Sequence, residues 1–241
     1  MSVDEMESGQ HEGEAHQGGF NSRLNWLRAG VLGANDGIVS TAGVVLGVAG
    51  ATTDRTAILI AGVAAVVAGA MSMAAGEYVS VSTQRDSEDA LLEKERRELE
   101  EMPDDELDEL TGFYVAKGLD EDLARQVAEQ LTENDALGAH AEVELGIDPD
   151  DLTSPWHAAF ASMVAFTVGA LLPLLTILLV PDGLRVPVTM AAVTGALAIT
   201  GWTSAELGYG PRGWAVLRNV LGGLFAMVLT FGIGSALGTQ V

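Results

Sequence analysis

The sequence predicts an all-α, polytopic membrane protein with five transmembrane helices and a helical acidic cytoplasmic domain between helices 2 and 3. Two observations carry that prediction. The chain is both apolar and strongly charged: 48% of its 241 residues are hydrophobic, yet its formal net charge is −22. The two properties also occupy different stretches. Residues 84–153 hold 24 of the 34 Asp and Glu, residues 1–24 hold five, and the other five are Asp36, Asp54, Glu77, Asp182 and Glu206. What remains is rich in Ala, Gly, Val and Leu, and five of its stretches are long enough to cross a bilayer, which takes roughly 20 helical residues.

In chain order, residues 1–22 form an acidic tail without periodicity, expected to be disordered. Its His11-Glu12-Gly13-Glu14-Ala15-His16 run is at best a weak metal trap. Residues 23–83 contain the first two spans, at about 28–51 and 56–80, and residues 154–241 the other three, at about 156–180, 186–208 and 213–239. Glycines at helix-face spacing (Gly33/Gly37, Gly43/Gly47 and Gly62/Gly69/Gly76) suit close packing of helices in lipid. Pro155 after Ser154 marks a capped helix start, and Pro173 a kink.

The domain at 84–153 reads as helices. Ala90, Leu91, Leu92 and Leu99 continue the second span as a stalk, and Pro103 opens a second helix with acids in its first turn, where the helix dipole favours them. Gly118 ends that helix. A third starts at Leu119-Asp120, with Leu123, Val127 and Leu131 expected to face a core, and a short last turn carries His140 and Glu144 before Gly146.

Lys and Arg set the expected orientation. With the N-terminus inside, basic residues concentrate on the inner segments and only Arg55 and Arg185 fall outside, so the N-terminus and residues 84–153 are expected to be cytoplasmic. The acidity excludes nucleic acid, a polyanion, as a partner and favours cations. There is no cysteine, so neither a disulfide nor a thiolate metal site is possible. No P-loop, Gly-x-Ser-x-Gly or His-Glu-x-x-His pattern occurs, no prosthetic group is implied, and an enzyme is not expected.

Glu95/Glu98 and Glu106/Glu109 are Glu-x-x-Glu pairs, each placing two carboxylates on one helix face. Helical bundles build divalent-metal sites from such groups, although a solvated acidic face has the same pattern. His140 and Glu144, at i and i+4, offer an imidazole and a further carboxylate. Within the spans Asp36 stands out, because a carboxylate facing lipid costs about 2.5–3.5 kcal/mol and therefore usually faces a cavity or a partner. Met73 is expected at a similar depth on the second span, with Glu77 nearer its cytoplasmic end. A thioether beside a carboxylate suits a transition metal better than Ca2+ or Mg2+.

Together, Gly33-Ala-Asn-Asp36-Gly37-Ile-Val-Ser-Thr, Ser72-Met73-Ala-Ala-Gly-Glu77-Tyr78-Val-Ser80, the Glu-rich insert and Glu144-Leu145-Gly146-Ile147 resemble the vacuolar iron transporter family over residues 22–239. The resemblance implies a homodimer with its path at the subunit interface, and export of Fe2+, sometimes Mn2+, from the cytosol in exchange for protons. It also implies that Asp36 and Met73 handle metal within the membrane and that Glu95, Glu98, Glu106, Glu109 and Glu144 ligate it in the insert. The chain departs from the plant members in having His140-Ala141 where they carry a Met pair, leaving His140 either to take over as ligand or the site one donor short. It also has Asn25 where they carry a membrane-entry Glu. The membrane implied is the plasma membrane in a prokaryote and a vacuole-like one in a eukaryote. A non-transporting metal sensor or store is the alternative, and an iron oxidase would need more histidine than the insert provides.

Overall fold

The computed structural model describes residues 17–149 and 152–238, with side chains from Gly30 onward. The tail expected to be disordered lies outside the described residues as far as position 16, and positions 17–22, expected to share its disorder, are helical. Among the described residues seven α-helices follow one another: α1 (Gln17–Ala51), α2 (Arg55–Glu101), α3 (Pro103–Ala116), α4 (Glu121–His140), α5 (Pro155–Leu179), α6 (Arg185–Leu207) and α7 (Arg212–Gly238). A π-helical turn, Ala141–Leu145, extends α4, and no strand occurs among the described residues. Five helices are long and apolar enough to cross a membrane: α1 from Gly30, α2, α5, α6 and α7. The chain divides into two compact units, a membrane unit (19–79 and 155–241 among its segments) and an insert centred on 80–154.

In the membrane unit, the core is formed by Ile38, Ala42, Val45 and Leu46 of α1 with Ile58, Leu174, Ile177, Val193, Leu197 and Met227. The small residues expected at helix contacts let backbones touch. A Cβ on Gly37 would collide with the Phe166 carbonyl oxygen, and one on Gly169 with that of Ala34. Phe166, 1% exposed, lies beneath this contact with Ala70 and Ala170. Gly76, by contrast, faces open space. Pro173 lies inside α5, which remains one helix. Tyr78 and Trp156 meet at ring centroids 4.7 Å apart. At the opposite end, Asp182 Oδ1 accepts from Arg55 Nη2 at 2.9 Å and from Arg185, whose side chain is nearly fully buried. These two guanidiniums hold the Asp182 carboxyl below the usual carboxylate range.

In the insert, Pro103 occupies the first turn of α3 with Asp104, Asp105 and Glu106, and the Asp120 side chain caps α4 by accepting from the Leu123 amide. Arg125 ties α4 to Asp108 of α3. The face of α4 that packs inward corrects the sequence expectation. Ala124 and Ala128 are buried, Val127 and Leu131 are half-buried, and Leu123 is 47% exposed. Alanines let α4 approach its neighbour closely, which leaves the larger Leu123 at the margin.

Candidate metal centre

The cluster is built where α2, α3 and the end of α4 converge in the insert. On α2, Leu92 and Glu95 lie three residues apart, so the stripe that buries Leu92 also carries Glu95 inward. On α3, Glu106 shares the buried side with Leu110. The third element of the cluster comes from the end of α4, where local chemistry turns the chain. The helix breaks at Asp135 (φ −160°, ψ 90°), and that residue's Oδ1 accepts from the Gly138 amide at 3.0 Å, restarting the helix in a new direction. This last stretch delivers His140, fully buried, and then winds into the π turn that carries Glu144. Gly146, at φ 65°, ends the turn in the left-handed conformation that favours glycine, and its amide donates to the Ala141 carbonyl. Wide turns of this kind recur at functional sites.

His140 Nδ1 lies 2.9 Å from Glu95 Oε1, 3.7 Å from Glu106 Oε2 and 3.9 Å from Glu144 Oε2. One donor atom from each of Glu95, His140 and Glu144 fits within a group no wider than 4.8 Å. Despite the short approach, neither imidazole nitrogen nor Glu95 Oε1 has a hydrogen-bond partner in line among the described residues. Buried polar groups are normally satisfied, and unpartnered donors and acceptors gathered at one point mark a place of chemical purpose.

The electrostatics agree. Burial first, then the charges of Glu144, Glu106, Glu98 and Glu109, push the Glu95 carboxyl from 4.5 to about 7. Burial followed by Glu109, Glu98 and Glu144 raises Glu106, with Lys94 opposing. Burial lowers the His140 imidazole against the pull of Glu144 and Glu109, keeping it neutral and able to donate a lone pair. Carboxylate oxygens with one imidazole form a donor set for a borderline divalent ion such as Fe2+, Mn2+ or Zn2+.

The structure brings the six insert residues singled out by sequence into one electrostatic neighbourhood, at different depths. Glu95, Glu106 and His140 are buried, Glu109 is exposed, and Glu98 is paired to Lys94 Nζ at 2.6 Å. Lys94 is the residue sequence reading missed: it is a cation at the rim, visible in retrospect as the i,i+4 partner of Glu98. In the membrane unit, Asp36 is half-buried in line with exposed Leu32 and Ser40 on one side of α1. No described residue hydrogen-bonds or ion-pairs with its carboxylate; Ser40 Oγ donates to its backbone carbonyl instead. Met73 packs against the Ala70–Phe166–Ala170 cluster, and Glu77 is half-buried on α2. The His11/His16 run lies outside the described residues.

Five helices able to span a membrane, and a largely buried carboxylate–imidazole cluster on a helical insert, define an integral membrane protein with a candidate cation site. A family model described as the VIT family matches residues 27–235. The chain is 43% identical over 230 residues to a vacuolar iron transporter of Acanthamoeba castellanii, covering 92% of this chain and 82% of that protein. It is 36% identical over 222 residues to vacuolar iron transporter homolog 1 of Arabidopsis thaliana, covering 92% and 88%. With vacuolar iron transporter homolog 5 of Oryza sativa it shares 38% over 213 residues, covering 88% and 80%. The chain belongs to the VIT family. That is a family of transporters, and the chain is not an enzyme.

Proposed function

We propose that the protein exports Fe2+, or the chemically similar Mn2+, from the cytosol by exchange with protons, serving metal homeostasis and detoxification. The observation that carries this reading is Asp36, a carboxylate on the open side of the otherwise uncharged Gly30–Ala51 span, with no basic partner among the residues whose side chains are described. A charge in that setting is maintained where a cation or proton passes beside it. The insert collects hydrated metal through Glu95, Glu106, His140 and Glu144, with Glu98 and Glu109 supplying negative potential. The ion then passes to Asp36 and Met73, with Glu77 on the inner approach. Protons compete with metal for the same carboxylate oxygens, so an opposing proton gradient drives release.

In this reading the insert is cytoplasmic, the membrane is vacuole-like or, in a prokaryote, the plasma membrane, and the working unit is a homodimer. The family relationship and the largely exposed apolar side of α2 (Leu59, Ile60, Val63, Val67, Met71) support a paired assembly. The test is Fe2+ uptake into proteoliposomes. Uptake should accelerate under an opposing proton gradient and vanish in Asp36→Ala, while metal binding by the insert persists. Uptake that survives Asp36→Ala removes the residue from the path. Binding without uptake in the native protein supports a metal store instead.

A further inference from the structure

Of the arginines in the membrane unit whose side chains are described, three are paired with a carboxylate of the chain. Arg55 and Arg185 share Asp182, and Arg212 grips Glu206 through Nε at 2.7 Å and Nη2 at 2.9 Å. Arg218 is exposed, and no carboxylate among the described residues pairs with it. It lies six residues beyond Arg212 on α7, about 9 Å further along the helix axis.

Its surroundings decide what it needs. Trp214, Leu221, Phe225 and Leu229 are 71%, 56%, 70% and 49% exposed, and with Arg218 they form one stripe at three- and four-residue steps. The other side of α7 is buried through Ala215, Gly223, Met227 and Gly234. Arg218 therefore lies within the stripe that faces acyl chains once the helix is in a bilayer. A lipid-facing guanidinium is stabilised by an anionic oxygen within reach, and its long stem lets it extend towards the headgroups where phosphate oxygens lie. The level suits this. Gly201 of α6 is packed on the backbone of Ala215 and Val216, so Trp202, 54% exposed, sits near the height of Trp214. Paired tryptophans of this exposure mark the zone where headgroups meet hydrocarbon.

We propose that Arg218 and Trp214 form a binding site for the phosphodiester of a membrane glycerophospholipid, in the leaflet at the α6–α7 loop. The planar guanidinium presents paired N–H groups to two phosphate oxygens, a geometry an ammonium lacks. The indole N–H of Trp214 is a further donor at headgroup level, and Leu221 and Phe225 lie where the acyl chain descends. A soluble phosphate could use both N–H donors but not the apolar stripe below them, so the stripe favours a lipid.

The test is native mass spectrometry of the full-length, detergent-purified protein titrated with phosphatidylglycerol, phosphatidylcholine or a diacylglycerol of the same chains. Both phospholipids should bind about tenfold more tightly than the diacylglycerol. Arg218→Gln should lower phospholipid binding to the diacylglycerol level, and Arg218→Lys should restore only part of it. The proposal is overturned if Arg218→Gln retains wild-type phospholipid binding, or if millimolar inorganic phosphate displaces the lipid, which would mark a free-anion site. It is equally overturned if the variant alters the oligomeric state while lipid binding stays constant, which would place a carboxylate of a second copy on Arg218.

Discussion

Replacing Glu95 with glutamine is expected to stabilise the metal-free insert while weakening its hold on metal. The Glu95 side chain is 3% exposed, and burial with four neighbouring carboxylates raises its pKa from 4.5 to about 7. An acid whose folded pKa is raised favours folding below its unfolded value, and that contribution is lost as pH rises through the folded value. The window runs from 4.5 to about 7. Above it, the native protein carries a buried anion whose penalty is at most about 3 kcal/mol. Glutamine is neutral and nearly isosteric, so it removes that penalty at pH 8 and changes little at pH 4, where both side chains are uncharged. Amide hydrogen exchange across residues 92–99 of the chelator-treated, full-length protein reads the effect directly. At pH 8 the variant should exchange up to roughly a hundredfold more slowly than wild type. A residue retained only to hold the insert together would behave in the opposite way. Faster exchange in the variant at pH 8, or an equal change at pH 4 and pH 8, refutes the reasoning.

Metal must displace the proton on Glu95, whereas His140 stays neutral because burial lowers its pKa, so Mn2+ affinity in calorimetric titration should fall about tenfold from pH 8 to pH 6. In the membrane unit, Gly37→Leu forces a side chain into the Phe166 backbone and should cost about 3 kcal/mol or more, seen as loss of monodisperse protein. Gly76→Leu, with nothing within 4 Å of its Cβ position, serves as the control and should purify normally.

The spans were legible because charge and apolarity are segregated along the chain, and crossing a bilayer leaves little freedom in how such segments fold. The Glu-x-x-Glu pairs and His140/Glu144 were legible as candidates because residues three or four apart share a helix face. The depth of each candidate side chain was not. Glu95 and Glu106 are buried but Glu109 is exposed, a difference set by how α3 and α4 pack rather than by either helix alone. Extending one periodic stripe through Leu123, Val127 and Leu131 selected the larger side chains, whereas close approach selects Ala124 and Ala128. The break at Asp135 and the π turn then shift the helical phase, so spacing counted from α4 does not predict which way His140 faces.

The backbone contact between α1 and α5 has a mechanical consequence. With the Gly37 and Ala34 segments pressed on Phe166 and Gly169, no side-chain layer is left to compress or re-pivot between the two helices. They form a single strut, and Asp36 is mounted on its outer side at a fixed height. Any widening or narrowing beside that carboxylate must therefore come from whatever lies across from it, since the rod that bears it has no joint of its own.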